Sequence, residues 1–593
     1  MTPPTFQSFD VASRPELAAP RVAALRARMA ERGLDAYLVP RADAHQSEYV
    51  PPSDARLAWL TGFTGSAGFA VITADRAALF TDGRYTVQVR AQTDGALFDY
   101  VDWPATKLAA WLAEHLPEGG RVGFDPWLHT IREVEALGAF DLAPGDNLVD
   151  AIWDDRPPRP AAPVEPYPKD LAGKGDESKR AEIAAAVREA GARAAVLTQP
   201  DAICWLLNVR GGDVARTPLV LAHAILHDDG RVDLFSDPAK FAGLDPDPAV
   251  TVRDWDAFAP ALAALAGPVL LDPATAPQAV ADALGDAETI HDRDPTALPK
   301  ARKTEAELAA TREAHLRDGA AMARFLRWLD EARPAGATEI DVVVALEGFR
   351  RETNALRDVA FETIAGSGPN GAIVHYRVDE ATNRALDRDG VLLVDSGGQY
   401  LDGTTDVTRT VALGTPPAEA AHDFTRVLQG MIAVSRARFP RGVEGRHLDA
   451  LARAPLWAEH KDYDHGTGHG VGVYLGVHEG PQRLSRASDV ALEPGMILSN
   501  EPGYYRERAY GIRIENLVAV RTAERPEGGD DRDMLAFETL TWVPIDRRLV
   551  LAALLGPDER AWLDAYHAEV LARIGPRLDG DDLAWLERVC APL

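Results

Sequence analysis

Four acidic residues in the C-terminal half of the chain lie in or beside apolar segments, where an uncompensated charge is costly. Asp395 follows VLLV, Asp406 lies in TTDVTRT, Glu501 follows MILSN, and Glu515 lies within GIRIENLVAV. A carboxylate that folding buries needs a shared proton, an ion-pair partner or a bound cation. This requirement constrains the fold strongly, because each acid must meet a partner from elsewhere in the chain.

The segment VLLVDSGGQYLDGTTDVTRTVAL, residues 391–413, is typical of a hairpin with a glycine-rich connection. Such a hairpin folds back and sets Asp395 and Asp406 side by side. Two simpler explanations stay open at this point. Strand-end aspartates often serve as turn or cap residues, and Arg513, on the same strand face as Glu515, could be only its ion-pair partner.

Three histidines lie among glycines in HGTGHGVGVYLGVHEG, residues 465–480. HGTGH lacks the glutamate of the zinc-protease motif HExxH, and its glycines oppose a helix. An extended conformation puts His465 and His469 on one face, and the glycines let neighbouring backbone approach closely. Three histidines beside four such acids favour a functional site over isolated structural residues.

The combined pattern predicts a metal site rich in oxygen ligands. Four carboxylates and one imidazole suit a pair of divalent ions such as Mn²⁺ better than thiolate-type zinc or iron–sulfur chemistry. Two such ions would hold a bridging water and lower its pKa, which is hydrolytic chemistry. The predicted ligands are Asp395, Asp406, His469, Glu501 and Glu515.

Composition excludes several other classes of function. The chain has 593 residues with 91 acidic and 63 basic side chains, a net charge of -28, which argues against nucleic-acid or anionic-membrane binding. Only two cysteines are present, so neither a disulfide framework nor a thiolate metal site is expected. The sequence shows no signal-peptide pattern and no apolar run long enough to cross a bilayer, so we expect a cytoplasmic protein.

The chain is too long for one hydrophobic core, and two breaks divide it. RPPRPAAPVEPYP, residues 156–168, predicts a stiff linker with little regular structure, and a proline-marked loop at residues 294–308 leads into a long helix. Thr304 and Glu307 predict a capping box at the start of that helix, which we expect to run as far as Pro334.

Internal similarity predicts the architecture on either side of these breaks. Residues 35–85 resemble residues 194–237 in their order of strand, loop, Trp-Leu pair and second strand, which indicates a duplicated α/β domain, with chance similarity as the alternative. Residues 305–351 and 417–453 each predict a helix pair, and strand-like runs follow each pair. The helix pairs would cover one face of a curved antiparallel sheet whose concave face holds the site.

At these residues the sequence resembles a known family, the Xaa-Pro aminopeptidases (aminopeptidase P) of the long, three-domain cytosolic type. They belong to the pita-bread metallopeptidases of family M24B. The resemblance covers nearly the whole chain, including PRADAHQSEYVPPSDARLAWLTGFTGSAG, CWLLNVRGGDV and the tail from LVLAALLGPDERAWLDAYHAEV onward. It implies an α/β (α+β) fold with two creatinase-like N-terminal domains, a pita-bread catalytic domain and a C-terminal helical extension. We expect these parts at residues 1–158, 159–299, 300–545 and 546–593.

The resemblance also assigns roles to the site residues. It implies a dinuclear site in which Asp406 and Glu515 serve both ions, Asp395 one ion, and His469 and Glu501 mainly the other. The motifs IVHY, DHGTGH and GVHEGP place the family's non-ligand histidines at His375, His465 and His478. A bridging hydroxide would attack the first peptide carbonyl, with Glu501 as proton acceptor, His375 and His478 donating to the oxygen, and His465 positioning the substrate.

The implied activity is removal of the N-terminal residue from peptides with proline at the second position. The implied cofactor is two divalent ions per chain, Mn²⁺ with Co²⁺ or Zn²⁺ as substitutes, and the implied assembly is a homodimer. A prolidase-type Xaa-Pro dipeptidase and a non-catalytic peptide-binding scaffold are the alternatives. Retention of all five ligand positions disfavours the scaffold and creatinase itself, and prolidases are shorter and lack the duplicated N-terminal region.

Overall fold

The computed structural model describes residues 5–245 and 247–593. Contacts divide these residues into two compact units, one of residues 12–300 and one that joins residues 5–11 to residues 301–593. Among the residues described, no helix combines the length and the apolar character that crossing a bilayer requires.

The unit of residues 12–300 contains two six-stranded sheets and a short two-stranded one. The strands of the first sheet are β1 (Ala36–Pro40), β2 (Phe69–Thr73), β3 (Ala77–Thr81), β4 (Asp99–Asp102), β5 (Arg121–Phe124) and β6 (Asp141–Pro144). The remaining strands are β7 (Glu165–Pro166), β8 (Ala194–Leu197), β9 (Val209–Arg210), β10 (His223–His227), β11 (Val232–Phe235), β12 (Val250–Arg253), β13 (Val269–Leu271) and β14 (Thr289–His291).

The two large sheets share one topology. Their strand orders are β4-β3-β2-β1-β5-β6 and β12-β11-β10-β8-β13-β14. In each sheet, the first three strands in chain order pair antiparallel, and the other pairs are parallel. These strands are β1, β2 and β3 in the first sheet and β8, β10 and β11 in the second. The predicted duplication of an α/β domain is therefore confirmed. The proline-rich linker is irregular except for β7, which pairs with β9.

Eleven helices accompany these sheets in the part of the unit that is described. They are α1 (Ala18–Arg32), α2 (Arg56–Thr61), α3 (Thr86–Gln92), α4 (Leu108–His115), α5 (Ile131–Glu135), α6 (Lys169–Ala172), α7 (Asp176–Glu189), α8 (Pro200–Leu207), α9 (Phe258–Ala263), α10 (Gln278–Leu284) and α11 (Ala297–Ala301). Helix α1 buries Val22, Leu25 and Met29, whose four-residue and three-residue spacings form one apolar face.

The strands of the second unit are paired antiparallel. They are β15 (Leu356–Val359), β16 (Ile364–Ser367), β17 (Gly390–Ser396), β18 (Gly398–Tyr400), β19 (Gly403–Thr404), β20 (Val407–Leu413), β21 (Arg438–Pro440), β22 (Gly468–Gly470), β23 (Glu479–Leu484), β24 (Ile497–Asn500), β25 (Gly503–Arg506), β26 (Tyr510–Arg513), β27 (Asn516–Thr522) and β28 (Met534–Thr539). Hydrogen bonding groups them as β15-β18-β19, β16-β17-β20, β21-β28-β27-β24-β22-β23 and β25-β26.

Helix pairs pack against these strands as the sequence predicts. The helices are α12 (Glu305–Arg327), α13 (Glu339–Arg351), α14 (Ala418–Ser435), α15 (Gly445–Trp457), α16 (Pro557–Ile574) and α17 (Gly580–Val589). The capping box of Thr304 and Glu307 forms, and α12 continues into a π-helical turn, Trp328–Ala332, before Pro334. The predicted fold class, two α/β domains followed by antiparallel strands and helix pairs, is thus confirmed.

One apolar core joins the strands of this unit to its last two helices. Val411 and Leu413 of β20 share the core with Leu563 of α16 and Leu586 of α17. Residues 5–11 also belong to this unit, because the Phe6 amide donates to both carboxylate oxygens of Glu347. The sequence does not distinguish residues 5–11 from the first domain, and the four-domain division stays a prediction.

Helices α14 and α15 can approach closely because Gly430 has no side chain. A Cβ built on Gly430 would lie 2.1 Å from the carbonyl oxygen of Ala452. We expect Gly430→Ala to lower the free energy of unfolding by about 1–3 kcal/mol, because the two helix backbones would have to move apart. Urea unfolding followed by circular dichroism measures this loss.

Gly348 in α13 is the matched control, because a Cβ there meets nothing within 4 Å. We expect Gly348→Ala to be neutral or stabilising by up to about 1 kcal/mol, since alanine favours a helix over glycine. Equal midpoints for Gly430→Ala and the parent chain would contradict the role of the close approach.

Candidate active site

The hairpin expected from the sequence forms from β17 and β20. Asp395 pairs with Thr408 across the two strands, and Asp406 comes directly before β20. Both residues are buried: 8% of the surface of Asp395 and 4% of the surface of Asp406 is exposed. The hairpin therefore brings two acids together inside the unit, and neither serves only as an exposed turn residue.

Glu501 reaches the same place from the end of β24. Its amide donates to the carbonyl of Thr467 at 2.8 Å, and its Oε1 accepts a hydrogen bond from Ser499 Oγ at 3.0 Å. These contacts fix the backbone and the carboxylate of Glu501 beside β22.

Glu515 corrects one sequence expectation. The sequence predicts a single strand through GIRIENLVAV, but β26 ends at Arg513 and β27 begins at Asn516. The chain passes here from the two-stranded sheet to the six-stranded one, and Glu515 lies in the gap. Its amide donates to the carbonyl of Thr408 at 3.2 Å, and its Oε2 accepts from Thr408 Oγ1 at 2.8 Å. The break thus aims Glu515 at the start of β20.

His469 lies on β22 and faces two of these acids. Its Nε2 is 3.4 Å from Asp406 Oδ2 and 3.3 Å from Glu501 Oε1. Its Nδ1 donates to the carbonyl of Gly470 at 2.9 Å, because a carbonyl oxygen can only accept. In the neutral ring the lone pair therefore sits on Nε2, which is the orientation of a metal ligand.

The histidine-rich run is not one continuous strand. Gly468–Gly470 forms β22, Glu479 and Gly480 begin β23, and His465 precedes β22 in a bend. His465 Nε2 contacts the Tyr505 hydroxyl, whereas His469 Nε2 faces Asp406 and Glu501, and the common face of the two histidines stays a prediction. The glycines act as predicted: a Cβ on Gly468 would lie 1.9 Å from the carbonyl oxygen of Ser499, so β22 can approach β24 only without one.

Arg513 is the cation closest to this group of acids. Its Nη2 donates to Asp395 Oδ2 at 2.6 Å. The sequence suggested Glu515 as its partner, and the structure corrects this to Asp395, because the strand break turns Glu515 toward Thr408. Arg513 Nη1 donates to the Tyr505 hydroxyl at 2.5 Å.

Tyr505 is a site residue that the sequence interpretation missed. Its hydroxyl lies 2.8 Å from His465 Nε2, and His465 Nδ1 donates to the carbonyl of Gly466 at 2.7 Å. Tyr505 therefore links Arg513 to His465. The available signal was its position four residues after Glu501 in NEPGYY.

The other two histidines approach from different elements. The ring of His478 meets that of His469 edge to face, with centroids 4.3 Å apart. His375 lies in a turn that Glu339 holds in place, since Glu339 accepts from the Ser367 amide at 2.7 Å and from the Tyr376 hydroxyl at 2.9 Å. The neighbouring Val374 carbonyl accepts from Arg513, which ties this turn to the acids.

The electrostatics of the site favour a cation. Burial, followed by the charges of Asp395 and Glu501, raises the pKa of Asp406 far above its usual range. Burial and then the charges of Asp406, Glu501 and Asp395 raise the pKa of Glu515 in the same way, and burial raises the pKa of Glu501. Asp395 Oδ1 is buried and has no hydrogen-bond partner within residues 5–245 and 247–593.

One divalent ion or more would satisfy these groups. Asp406, His469 and Glu515 offer ligand atoms within 4.8 Å of one another. Bound cations would neutralise the carboxylates, use the free oxygen of Asp395 and meet the Nε2 lone pair of His469. The donor set, mostly oxygen with one imidazole, fits hard divalent ions, and Mn²⁺ stays a prediction.

A second group of possible ligands, His422, Asp423 and Glu459, does not have this character. Protein cations already neutralise it, because Lys461 Nζ lies 2.7 Å from Asp423 and 2.9 Å from Glu459. Arg426 also contacts Glu459 at 2.7 Å. This group is an ion-pair network and serves as an internal comparison for the first.

Known protein families match the two N-terminal sheets, the antiparallel strands with their helix pairs, and the C-terminal helices. Residues 309–522 match metallopeptidase family M24. Residues 21–152 and 155–307 each match the Creatinase/Prolidase N-terminal domain, and residues 533–593 match the C-terminal region of peptidase M24.

Individual relatives extend over nearly the full chain. A "Probable Xaa-Pro aminopeptidase P" from Laccaria bicolor is 40% identical, over 97% of this chain and 93% of its own length. "Aminopeptidase P2" from Arabidopsis thaliana is also 40% identical, over 95% and 86%. A solved X-prolyl aminopeptidase from Caenorhabditis elegans, described as a cytosolic enzyme with a di-nuclear active site, superimposes with a TM-score of 0.91 at 34% identity, covering 97% of this chain and all of that one.

Substitutions in the two groups of possible ligands, one at Asp406 and one at Asp423, give a direct test of metal binding. We expect Mn²⁺ to raise the thermal unfolding midpoint of the parent chain, because it binds the folded state only. Asp406→Asn should abolish this shift and reduce the metal content of the protein. Elemental analysis and differential scanning fluorimetry with and without chelator measure both effects.

Asp423→Asn is the matched control from the second group. It should keep both the metal content and the Mn²⁺-induced shift, since Lys461 already occupies that position. Loss of bound metal in Asp423→Asn with retention in Asp406→Asn would contradict the assignment.

Proposed function

This chain belongs to metallopeptidase family M24, among the Xaa-Pro aminopeptidases P, and from that membership we propose that it removes the N-terminal residue from peptides whose second residue is proline. The observation that carries this proposal is the convergence of Asp406, His469 and Glu515, from three separate elements, on one buried place. A buried group of mutually repelling acids is costly unless cations bind there, and the relatives named above, which match nearly the whole chain, are named aminopeptidases.

The proposed ion ligands are Asp395, Asp406, His469, Glu501 and Glu515. We propose two divalent ions, with Mn²⁺ as the native metal and Co²⁺ or Zn²⁺ as substitutes. When bound, the ions would polarise the peptide carbonyl and supply a bridging hydroxide as nucleophile at neutral pH.

The remaining steps fall to the side chains around the acids. Glu501 is suited to take a proton from the nucleophile and pass it to the leaving amine, because burial raises the pKa of its carboxyl above the usual range. To His478, in contact with His469, and to His375 we assign the donation of hydrogen bonds to the oxygen that becomes negatively charged. His465, held at Nε2 by Tyr505, would position the substrate beside the scissile bond.

The cellular setting is proposed by analogy. We place the enzyme in the cytoplasm, because the Caenorhabditis elegans relative is described as cytosolic. For the assembly we propose a homodimer, as the family resemblance implies. Peptides with proline at the second position are the proposed partners, and neither nucleic acid nor a membrane is among them.

Peptide turnover tests the activity. We expect the protein with Mn²⁺ to release alanine from alanyl-prolyl-alanine, to act little on trialanine, and to lose activity in chelator, because catalysis needs the metal site and a proline pocket. Liquid chromatography of the products measures each rate. Turnover that is unaffected by chelator would overturn the proposal, and turnover confined to the dipeptide alanyl-proline would replace it with a prolidase-type activity.

Substitution of His478 tests the assigned role in stabilising the oxyanion. We expect His478→Ala to lower kcat by about a hundredfold or more while the metal content stays unchanged, because a hydrogen bond to developing charge is lost. His291→Ala at the exposed end of β14 is the control and should retain parental kinetics. If His478→Ala kept the parental kcat, the role given to His478 would be wrong.

A further inference from the structure

A cavity of 360 Å³ lies behind strand β20, away from the acids. Its walls come from β20, the π-helical turn after α12, residues 544–548 and helix α17. Apolar side chains dominate the wall, among them Leu329, Val411, Ile545, Trp585 and Val589. The volume falls within the range of about 300–1,000 Å³ that is typical of small-molecule sites.

The cavity and the active site use opposite faces of one strand. Thr408 Oγ1 bonds to Glu515 and Thr410 Oγ1 to the carbonyl of Arg513, so these residues face the acids. Because side chains alternate along a strand, Val411 points to the other face, where it lines the cavity. A molecule in this cavity would not contact the reacting groups.

Arg547, one of three arginines in the cavity wall, has no carboxylate as an ion-pair partner among the described residues. Asp330 and Asp546 both pair with Arg548 at 2.7 Å, and Arg588 pairs with Glu331. Within residues 5–245 and 247–593, by contrast, no carboxylate forms an ion pair with Arg547. Arg547 Nη1 donates to the Arg588 carbonyl at a long 3.4 Å, and its buried Nε meets no hydrogen-bond partner in the part of the chain that is described.

One part of the cavity wall has an unusual backbone. Trp328–Ala332 is a π-helical turn. This conformation is rare in proteins, and where it occurs it is often at a functional site. Leu329 and Asp330 of this turn line the cavity, and Asp330 Oδ2 accepts from Trp585 Nε1 at 3.0 Å. The turn and α17 are thereby fixed to each other, and the cavity between them is part of the packed structure.

We propose that this cavity binds a small molecule that has an aliphatic chain and a terminal carboxylate. The chain lies against Leu329, Val411 and Val589, and the carboxylate pairs with Arg547. An ion pair hydrogen-bonded to a guanidinium in an apolar surrounding is among the stronger polar contacts. The proposal is independent of the peptidase activity.

Calorimetric titration of the full chain with decanoate tests this site, below the concentration at which decanoate forms micelles. We expect saturable binding of one decanoate per chain, and binding of 1-decanol that is about tenfold weaker or more, because the alcohol lacks the charge. Arg547→Met should weaken decanoate binding by a similar factor while leaving decanol binding unchanged. Val589→Phe should weaken both ligands by filling the cavity.

Arg525→Met is the matched control, because Arg525 is exposed and pairs with Asp531 outside the cavity. It should bind decanoate as the parent chain does. The proposal is overturned if decanoate does not saturate near one per chain, if decanol binds equally well, or if Arg547→Met binds decanoate like the parent. The comparison of decanoate with decanol on the parent chain holds even where a variant fails to fold.

Discussion

Repulsion among three buried carboxylates and a fourth, Glu501, that is mostly buried is the constraint on which the catalytic unit depends. Asp395, Asp406, Glu501 and Glu515 come from separate segments and raise one another's energy in the charged state. Arg513 offsets part of this repulsion by pairing with Asp395. The rest requires protons or bound cations, because an unpaired buried charge costs several kcal/mol, on the order of 3–5. The cost of packing the acids together is also what creates affinity for divalent ions.

The scaffold that forces the acids together extends well beyond them. Arg409 is fully buried on β20, and its guanidinium donates to the Glu515 carbonyl at 2.5 Å and to the Val543 carbonyl at 2.7 Å. It also reaches the hydroxyl of Tyr566 on α16 at 3.0 Å. The C-terminal helices therefore support the strand break that aims Glu515, which links packing at the back of the sheet to geometry at the site.

The sequence predicts local features well where one segment determines them. The capping box of α12, the two helix pairs, the β17–β20 hairpin and the duplicated sheets all follow from periodicity and short motifs. Prediction fails where the partner is distant. The break at Glu515, the pairing of Arg513 with Asp395 and the link through Tyr505 each depend on how two sheets meet, which no local pattern encodes.

The sequence alone determined the residue types of the site: five groups able to bind hard divalent ions, three further histidines, and glycines spaced among them. Only the tertiary structure decided which acid meets which cation, that His465 contacts Tyr505 while His469 lies beside Asp406 and Glu501, and that Arg547 behind β20 has no carboxylate partner among the described residues. The physical reason is the distance along the chain over which each interaction acts. Propensity and alternation act over a few residues, whereas electrostatic pairing and close packing depend on distances set by the whole fold.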